Sequence, residues 1–257
     1  MIRRILNWFH KRKKDNKTVP WKINLKKSKR DFRDYRYVYP GTTPPESYSL
    51  KKYCTPIKNQ LTLGSCVAFA WAAAFELLIK KLRNQEIDIG ELGFYYDMRK
   101  LDGQQNTDRG TYLRNGAKVL LNDGIGLEPF CKYNVVKYRE EPGWPYYFSA
   151  CLNWKWMNLK KYEAVYLVDN MKAAITEGLP VVIGIEVGTP DIYNTDFIIR
   201  EPTKMNGGHA VLIIGYDDER KAFEIKNSWG ETWAAYGYAW LPYSYVEKHL
   251  LEAWIIR

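Results

Sequence analysis

From Cys66 the chain runs CVAFAWAAAFELLIKKL, 17 residues without glycine, proline or any turn former, and its first two-thirds are apolar on every side. A helix at the surface would keep a polar stripe, so this pattern predicts a helix buried through the centre of a domain. Gly64-Ser65 just before it supplies a turn and an N-cap. A second helix is predicted over 111–122, closed by Asp123-Gly124, and a third over 170–177, ended by Gly178 and Pro180. Beyond that point the period changes. Val181–Val187, Ala210–Tyr216 and Ala222–Lys226 are short β-branched or aromatic runs, and the last two flank the polar turn Asp217-Asp218-Glu219-Arg220, a hairpin signal. Tyr236–Leu241 and Ala253–Ile256 predict further strands. Helices first and antiparallel strands later imply an α+β chain with two lobes.

Composition narrows this picture. The chain has 257 residues, 46% of them hydrophobic, enough for a real core. No apolar run approaches the length of a membrane-spanning helix. Four cysteines without a CxxC pair, and histidine only at positions 10, 209 and 249, make a structural zinc site unexpected. No metal or organic cofactor is implied. The net charge of +10 is local: residues 1–36 hold 14 Lys and Arg against 3 Asp and Glu, and the remainder is nearly neutral. The expected organisation is a basic arm over 1–36, a Pro-rich extended connector over 37–52 and a domain over 53–257. The arm's apolar stretch is too short for a secretory signal, so an intracellular or cytoplasmic location, or a place in a virion, is expected. The cysteines are then reduced, with Cys54, Cys131 and Cys151 as inert thiols.

A cysteine at a helix N-terminus draws attention because unpaired N–H groups and the helix dipole favour the thiolate. Around it stands Gln60-Leu61-Thr62-Leu63-Gly64-Ser65-Cys66. Far downstream come Gly207-Gly208-His209-Ala210-Val211 and then Asn227-Ser228-Trp229-Gly230. The separations are 143 residues from Cys66 to His209 and 18 more to Asn227. In these motifs the sequence resembles the papain-like cysteine peptidases, whose helix-starting Cys precedes His and Asn by about 130–150 residues. The family also places a glutamine six positions before the cysteine, and follows its Asn-Ser-Trp-Gly element with Trp and Gly-Tyr, here Trp233 and Gly237-Tyr238.

The resemblance implies a two-lobed fold, with a helical lobe over about 53–135, a β-barrel-like antiparallel lobe over about 136–257, and the active site in the cleft between them. It assigns Cys66 as the nucleophile, His209 as the acid–base partner, Asn227 as the orienter of the imidazole and Gln60 as the oxyanion donor. Gly64, Ser65, Gly208 and Trp229 are assigned to substrate binding. A low-pKa Cys66 would react with alkylating agents near pH 5–6. Departures from the family are Val67 for the usual Trp, Leu61 and Ala234 for usual glycines, and Leu63 for the half-cystine of secreted members. No counterpart of the family's glycine-rich substrate-binding segment stands out.

The arm lies outside the resemblance. Ile2, Ile5, Leu6, Trp8 and Phe9 followed by basic residues suit a short membrane-surface helix. Lysine runs interleaved with Trp21, Phe32 and Tyr35 suit nucleic acid. The arm could instead cover the cleft, or dock the chain on a protein assembly. Two function classes follow: a cysteine endopeptidase acting on protein or peptide substrates, and a catalytically silent papain fold docked in a larger assembly through its arm. A cell-wall amidase is a weaker third, opposed by Gln60 and the Asn-Ser-Trp-Gly element.

Overall fold

The computed structural model describes residues 21–257 except 30, 40, 42, 190, 191 and 193–196. The apolar segment of residues 2–9 and His10 lie outside the described residues.

The predicted central helix is α1 (Cys66–Arg83), and 13 of its residues are buried. It runs between the sheet on one side and α2 (Glu91–Lys100) and α3 (Leu113–Asn122) on the other. Trp71 anchors the second contact. Its indole Nε1 donates to the Leu113 carbonyl at 2.9 Å, and its ring lies over Gly116, where an added Cβ would come within 2.3 Å of it. The helix ends in a run of Lys80, Lys81 and Arg83, which suit the negative end of the dipole, and at Asn84 in the left-handed conformation. The remaining helices are α4 (Trp144–Met157), α5 (Val168–Thr176) and α6 (Tyr243–His249).

Among the described residues, seven strands form one antiparallel sheet: β1 (Ser47–Ser49), β2 (Tyr162–Ala164), β3 (Val181–Thr189), β4 (Lys204–Asp217), β5 (Ala222–Lys226), β6 (Tyr238–Pro242) and β7 (Leu250–Ile256). Their order is β2-β7-β3-β4-β5-β6, with β1 added alongside β4. The sheet is open, so the barrel-like closure expected for this lobe is not found. The hairpin of β4 and β5 forms where the sequence predicts it. β4 begins earlier than the apolar pattern, because polar residues 204–208 also pair with β3.

Three further differences are physical. Residues 47–52, expected as connector, supply β1 and most of a 3-10 turn (Lys51–Tyr53), and Leu50 between them is fully buried. Tyr37 also enters the core, and residues 35–37 pair with β2. α4, placed by position in the second lobe, packs with the helices: Asn153 donates to the Ile125 carbonyl and Ser149 accepts from Leu127 N–H.

A charged cluster joins these parts behind the cleft. Lys58 Nζ, three-quarters buried, meets Glu76 of α1 at 2.8 Å, Glu91 of α2 at 2.6 Å and Asp88 at 2.6 Å. Burial raises the Glu91 carboxyl to about 8, while the surrounding acids raise the lysine. Removing one partner of a buried ion pair strands the others. Lys58→Met is therefore expected to destabilise the fold by about 3–5 kcal/mol, measured by chemical denaturation, with Glu76→Gln/Glu91→Gln in the same chain recovering part of the loss.

Candidate active site

α1 brings Cys66 to the cleft with its side chain fully buried. Ser65 occupies the N-cap position but makes no side-chain cap bond. The first N–H groups of the helix are thus left open, and those of Cys66 and Val67, with that of Ala210 across the cleft, reach the sulfur. Each stabilises negative charge there. Desolvation opposes them and wins in this state, pushing the thiol up to about 11.

The opposite wall carries His209 on β4, paired in register with Ile185 of β3. Its Nε2 lies 2.8 Å from Asn227 Oδ1, and Ser228 N–H donates to that same oxygen at 2.8 Å. An amide oxygen only accepts, so Nε2 carries the proton and Nδ1 is left as the basic nitrogen. Nδ1 has no hydrogen-bond partner among the described residues. Trp229 lies against the ring with centroids 4.5 Å apart, and Trp233 meets Trp229 edge-on at 5.7 Å. This aromatic cover lowers the imidazole to about 4 by desolvation. In the covered chain desolvation pushes both groups toward their neutral forms, a direction opposed to the lowered thiol that the resemblance implies.

Gln60 completes the set. It is fully buried, its N–H donates to the Ser228 carbonyl at 2.8 Å, and its Oε1 accepts from Ser228 Oγ at 2.8 Å. The second bond fixes the flip of the amide and aims Nε2 into the cleft. Leu61 and Ala234, at positions where the resemblance expects glycine, take left-handed backbone, with φ of 53° and 44°. Such left-handed residues cost about 1 kcal/mol or more, so the loop shape is held by its surroundings.

The cleft is already filled. Trp21 stacks on Trp229 at 4.9 Å with its planes 8° apart, and its Nε1 donates to Asn59 Oδ1 at 3.3 Å. Gln60 Nε2 donates to the Lys22 carbonyl at 3.1 Å. Asn24 fits between Gly64 and Gly110, and a Cβ at Gly110 would lie 2.0 Å from its carbonyl oxygen. Leu25 N–H donates to the Gly208 carbonyl at 3.0 Å and Lys26 N–H to the Thr111 carbonyl at 3.1 Å. The Leu25 side chain enters a pocket made by Leu113, Gly184 and Leu251, with Glu252 at its wall. Lys22 pairs with Asp108 at 2.7 Å, and Ser28 Oγ donates to Glu252 at 3.1 Å.

Of the residues assigned to substrate binding, Gly64, Gly208 and Trp229 touch this segment, and Ser65 does not; its hydroxyl bonds to Tyr133 instead. Sequence reasoning missed Asp108, Gly110, Thr111 and Tyr133. A glycine at φ 70°, required by the close approach of Asn24, is the one signal that could have marked the 108–111 strip. His249 lies away from this site and pairs with Glu201 at 3.0 Å. All four cysteines are free thiols.

Comparison with known proteins identifies relatives of the chain and of its fold. The family model described as papain family cysteine protease matches residues 44–249. An uncharacterized peptidase C1-like protein of Acanthamoeba polyphaga mimivirus is 31% identical over 218 residues, 77% of this chain and 68% of that protein. Cathepsin K of Mus musculus is 26% identical over 219 residues, 80% of this chain and 62% of its own length. Among solved structures, xylellain, a cysteine protease from Xylella fastidiosa, superposes with a TM-score of 0.82 at 30% identity, covering 95% of this chain and 98% of that one. Procathepsin L2 of the Tenebrio molitor larval midgut shares the fold, with a TM-score of 0.74 at 18% identity, covering 95% of this chain and 80% of that one. No helix among the described residues is long and apolar enough to cross a membrane. The chain belongs to the papain family of cysteine proteases.

Proposed function

We propose that this peptidase cleaves internal peptide bonds through Cys66, His209, Asn227 and Gln60, and that residues 21–29 cover the cleft in the resting chain. The observation that carries the reading is the Gln60 amide, which already donates to a peptide carbonyl, that of Lys22, beside the buried cysteine. A substrate carbonyl in that place would have its oxygen on Gln60 Nε2 and the Cys66 N–H, the donors needed as the oxyanion develops. The Cys66 sulfur gives its proton to His209 Nδ1 and attacks the carbonyl carbon. An S–C bond forms, and the C–N bond breaks as the imidazolium protonates the departing amine. Water, activated by the same nitrogen, then hydrolyses the thioester. Asn227 holds the ring through Nε2–H and leaves Nδ1 as the nitrogen that takes the proton.

Covering by the arm is supported by its direction. The leaving amine departs toward His209 and the Trp229 side, so the acyl half of a substrate lies by Gly208 and Thr111. The arm passes Trp229 first, with Trp21, and reaches Gly208 later, with Leu25. It therefore runs opposite to a substrate, and its carbonyl at Gln60 presents no bond in the orientation for acyl transfer. Leu25, Gly208 and Thr111 mark the strip on which a substrate backbone would pair, and the Leu25 pocket takes an apolar side chain. Docking of residues 21–29 on the chain's own cleft leaves this part of the arm unavailable for an external assembly, which weighs against the catalytically silent alternative.

Cys66→Ala is expected to abolish hydrolysis of a fluorogenic peptide. Asn227→Ala is expected to lower kcat by about 10–100-fold, since nucleophile and acid both remain; wild-type turnover in the Cys66 variant would remove the mechanism. Residues 35–37 and β1 belong to the fold, so the arm is best cut after residue 29 or displaced by Leu25→Asp. Either change is expected to raise the initial rate at least about tenfold, as opening of a covered site releases the fraction held closed; an unchanged rate would remove the covering role. Thiol reactivity provides a pH test. With the thiol at about 11, iodoacetamide labelling of Cys66 in the covered chain climbs only as the pH rises well above 9. Leu25→Asp, by admitting water, is expected to move that onset to lower pH, and superimposable profiles would contradict the reading.

A further inference from the structure

Tyr133 lies between two single-turn 3-10 helices, Glu128–Phe130 and Val135–Lys137, far along the chain from Cys66, and none of the steps above uses it. Its hydroxyl donates to the main-chain carbonyl of Gln60 at 2.7 Å and stands 2.8 Å from Ser65 Oγ. A phenol has a single proton. With that proton committed to Gln60, Ser65 must be the donor in the second bond. A directed relay results, from Ser65 to Tyr133 to Gln60, that ties the residue before the nucleophile to the residue that holds the oxyanion.

The tyrosine is itself held firmly. Its N–H donates to Glu128 Oε1 at 2.7 Å, and its ring meets Phe69 of α1 edge-on at 5.0 Å. Burial raises the phenol's pKa and keeps the proton in place. The Gln60 side chain is already tied by Ser228 Oγ on Oε1 and by the Leu63 carbonyl on Nε2 at 2.9 Å; Tyr133 adds a hold on the main chain that carries it. The Gln60 carbonyl has one other donor, Leu63 N–H at 3.3 Å, a long bond. The loop between them contains Leu61 in the left-handed region, a conformation that relaxes unless its ends are fixed. At the other end, a serine at an N-cap ordinarily turns its oxygen onto the helix N–H groups. Here Ser65 makes no such bond, and those N–H groups stay with the sulfur.

We propose that Tyr133 is a positioning residue for the peptidase reaction: its hydroxyl fixes the Gln60 amide relative to the Cys66 sulfur, so that oxyanion donor and nucleophile meet one carbonyl together. The proposal rests on the peptidase reading above and adds a residue that acts through Gln60. A role in transition-state stabilisation differs from a role in stability by where the loss shows. An oxyanion donor out of place lowers kcat and leaves ground-state binding alone.

The test is a double-mutant cycle in the full chain carrying Leu25→Asp, with Tyr133→Phe, Gln60→Ala and the two combined. The readouts are kcat and KM on a fluorogenic peptide amide, and Ki for a peptide aldehyde, whose adduct with Cys66 places an oxygen where the oxyanion forms. Tyr133→Phe is expected to lower kcat about tenfold and weaken the aldehyde similarly, with KM within about twofold. In the Gln60→Ala background the same change is expected to alter kcat less than about twofold. Equal losses in both backgrounds, a loss confined to KM, or an unchanged kcat would each overturn the proposal. Should Tyr133→Phe melt below the assay temperature, Ser65→Ala carries the same cycle from the other end of the relay, with an expected loss of about threefold that again vanishes without Gln60. A chain with its arm displaced that hydrolyses nothing overturns the peptidase reading itself, an outcome distinct from an active enzyme with additive mutations.

Discussion

The amino end of α1 is the fixed point of the molecule. A helix buried between a sheet and two other helices cannot slide along its axis without breaking close packing on both sides, so the residue at its tip is held as firmly as the core. In the proposed reaction Cys66 supplies from that one place both the nucleophilic sulfur and a backbone N–H for the oxyanion. The other groups are adjusted to it. The loop of residues 55–65 crosses from one wall to the other, tied to α1 and α2 through Lys58 and to the far wall through hydrogen bonds from Gly230 N–H to the Lys58 carbonyl and from Gln60 N–H to the Ser228 carbonyl. His209 and Asn227 sit on neighbouring elements of the sheet side, joined by a bond that selects the imidazole tautomer.

Packing that fixes geometry also removes water, and dryness works against the charged pair that this chemistry needs. In the covered chain the balance falls on the neutral side, with the thiol high and the imidazole low, and desolvation is the first cause in both cases. Desolvation outweighs the N–H groups that favour the thiolate, and over the imidazole the cover comes from Trp229 and Trp233. In the proposed reading residues 21–29 add to that dryness from outside, while α1 and the 55–65 loop fix the geometry.

How much of this was legible in the sequence depended on whether a feature is local. Cys66, Gln60, His209 and Asn227 stand in short motifs that determine their own backbone, and the apolar run after Cys66 announces a buried helix. β1 was hidden because its three residues are all exposed and carry no apolar pattern; its pairing partner β4 lies some 170 positions away. α4 was hidden for a different reason. Trp144, Phe148 and Leu152 face solvent while Tyr146, Ala150 and Asn153 are buried, so apolar residues occupy both faces and no period emerges. Leu61 and Ala234 were hidden in another sense: neither is a glycine, yet both hold left-handed backbone, a conformation that tertiary contacts enforce at an energetic cost. Tyr133 could not be read because its partners are single atoms distant in sequence.

The pairing of residues 35–37 with β2 and the joining of β1 to the sheet have a consequence for the segment that precedes them. A short flexible tether confines its cargo to a small volume, equivalent to a local concentration on the order of millimolar. Under the proposed covering, residues 21–29 meet their own cleft in that condition, so individually weak contacts, a stacked indole, one leucine and a few main-chain bonds, act together at high local concentration. Joined to the body, the segment competes at a strength that no equal peptide diffusing freely in dilute solution could match. Once the connection is severed, the same contacts must hold against dilution, and occupancy becomes a question of concentration instead of covalent continuity.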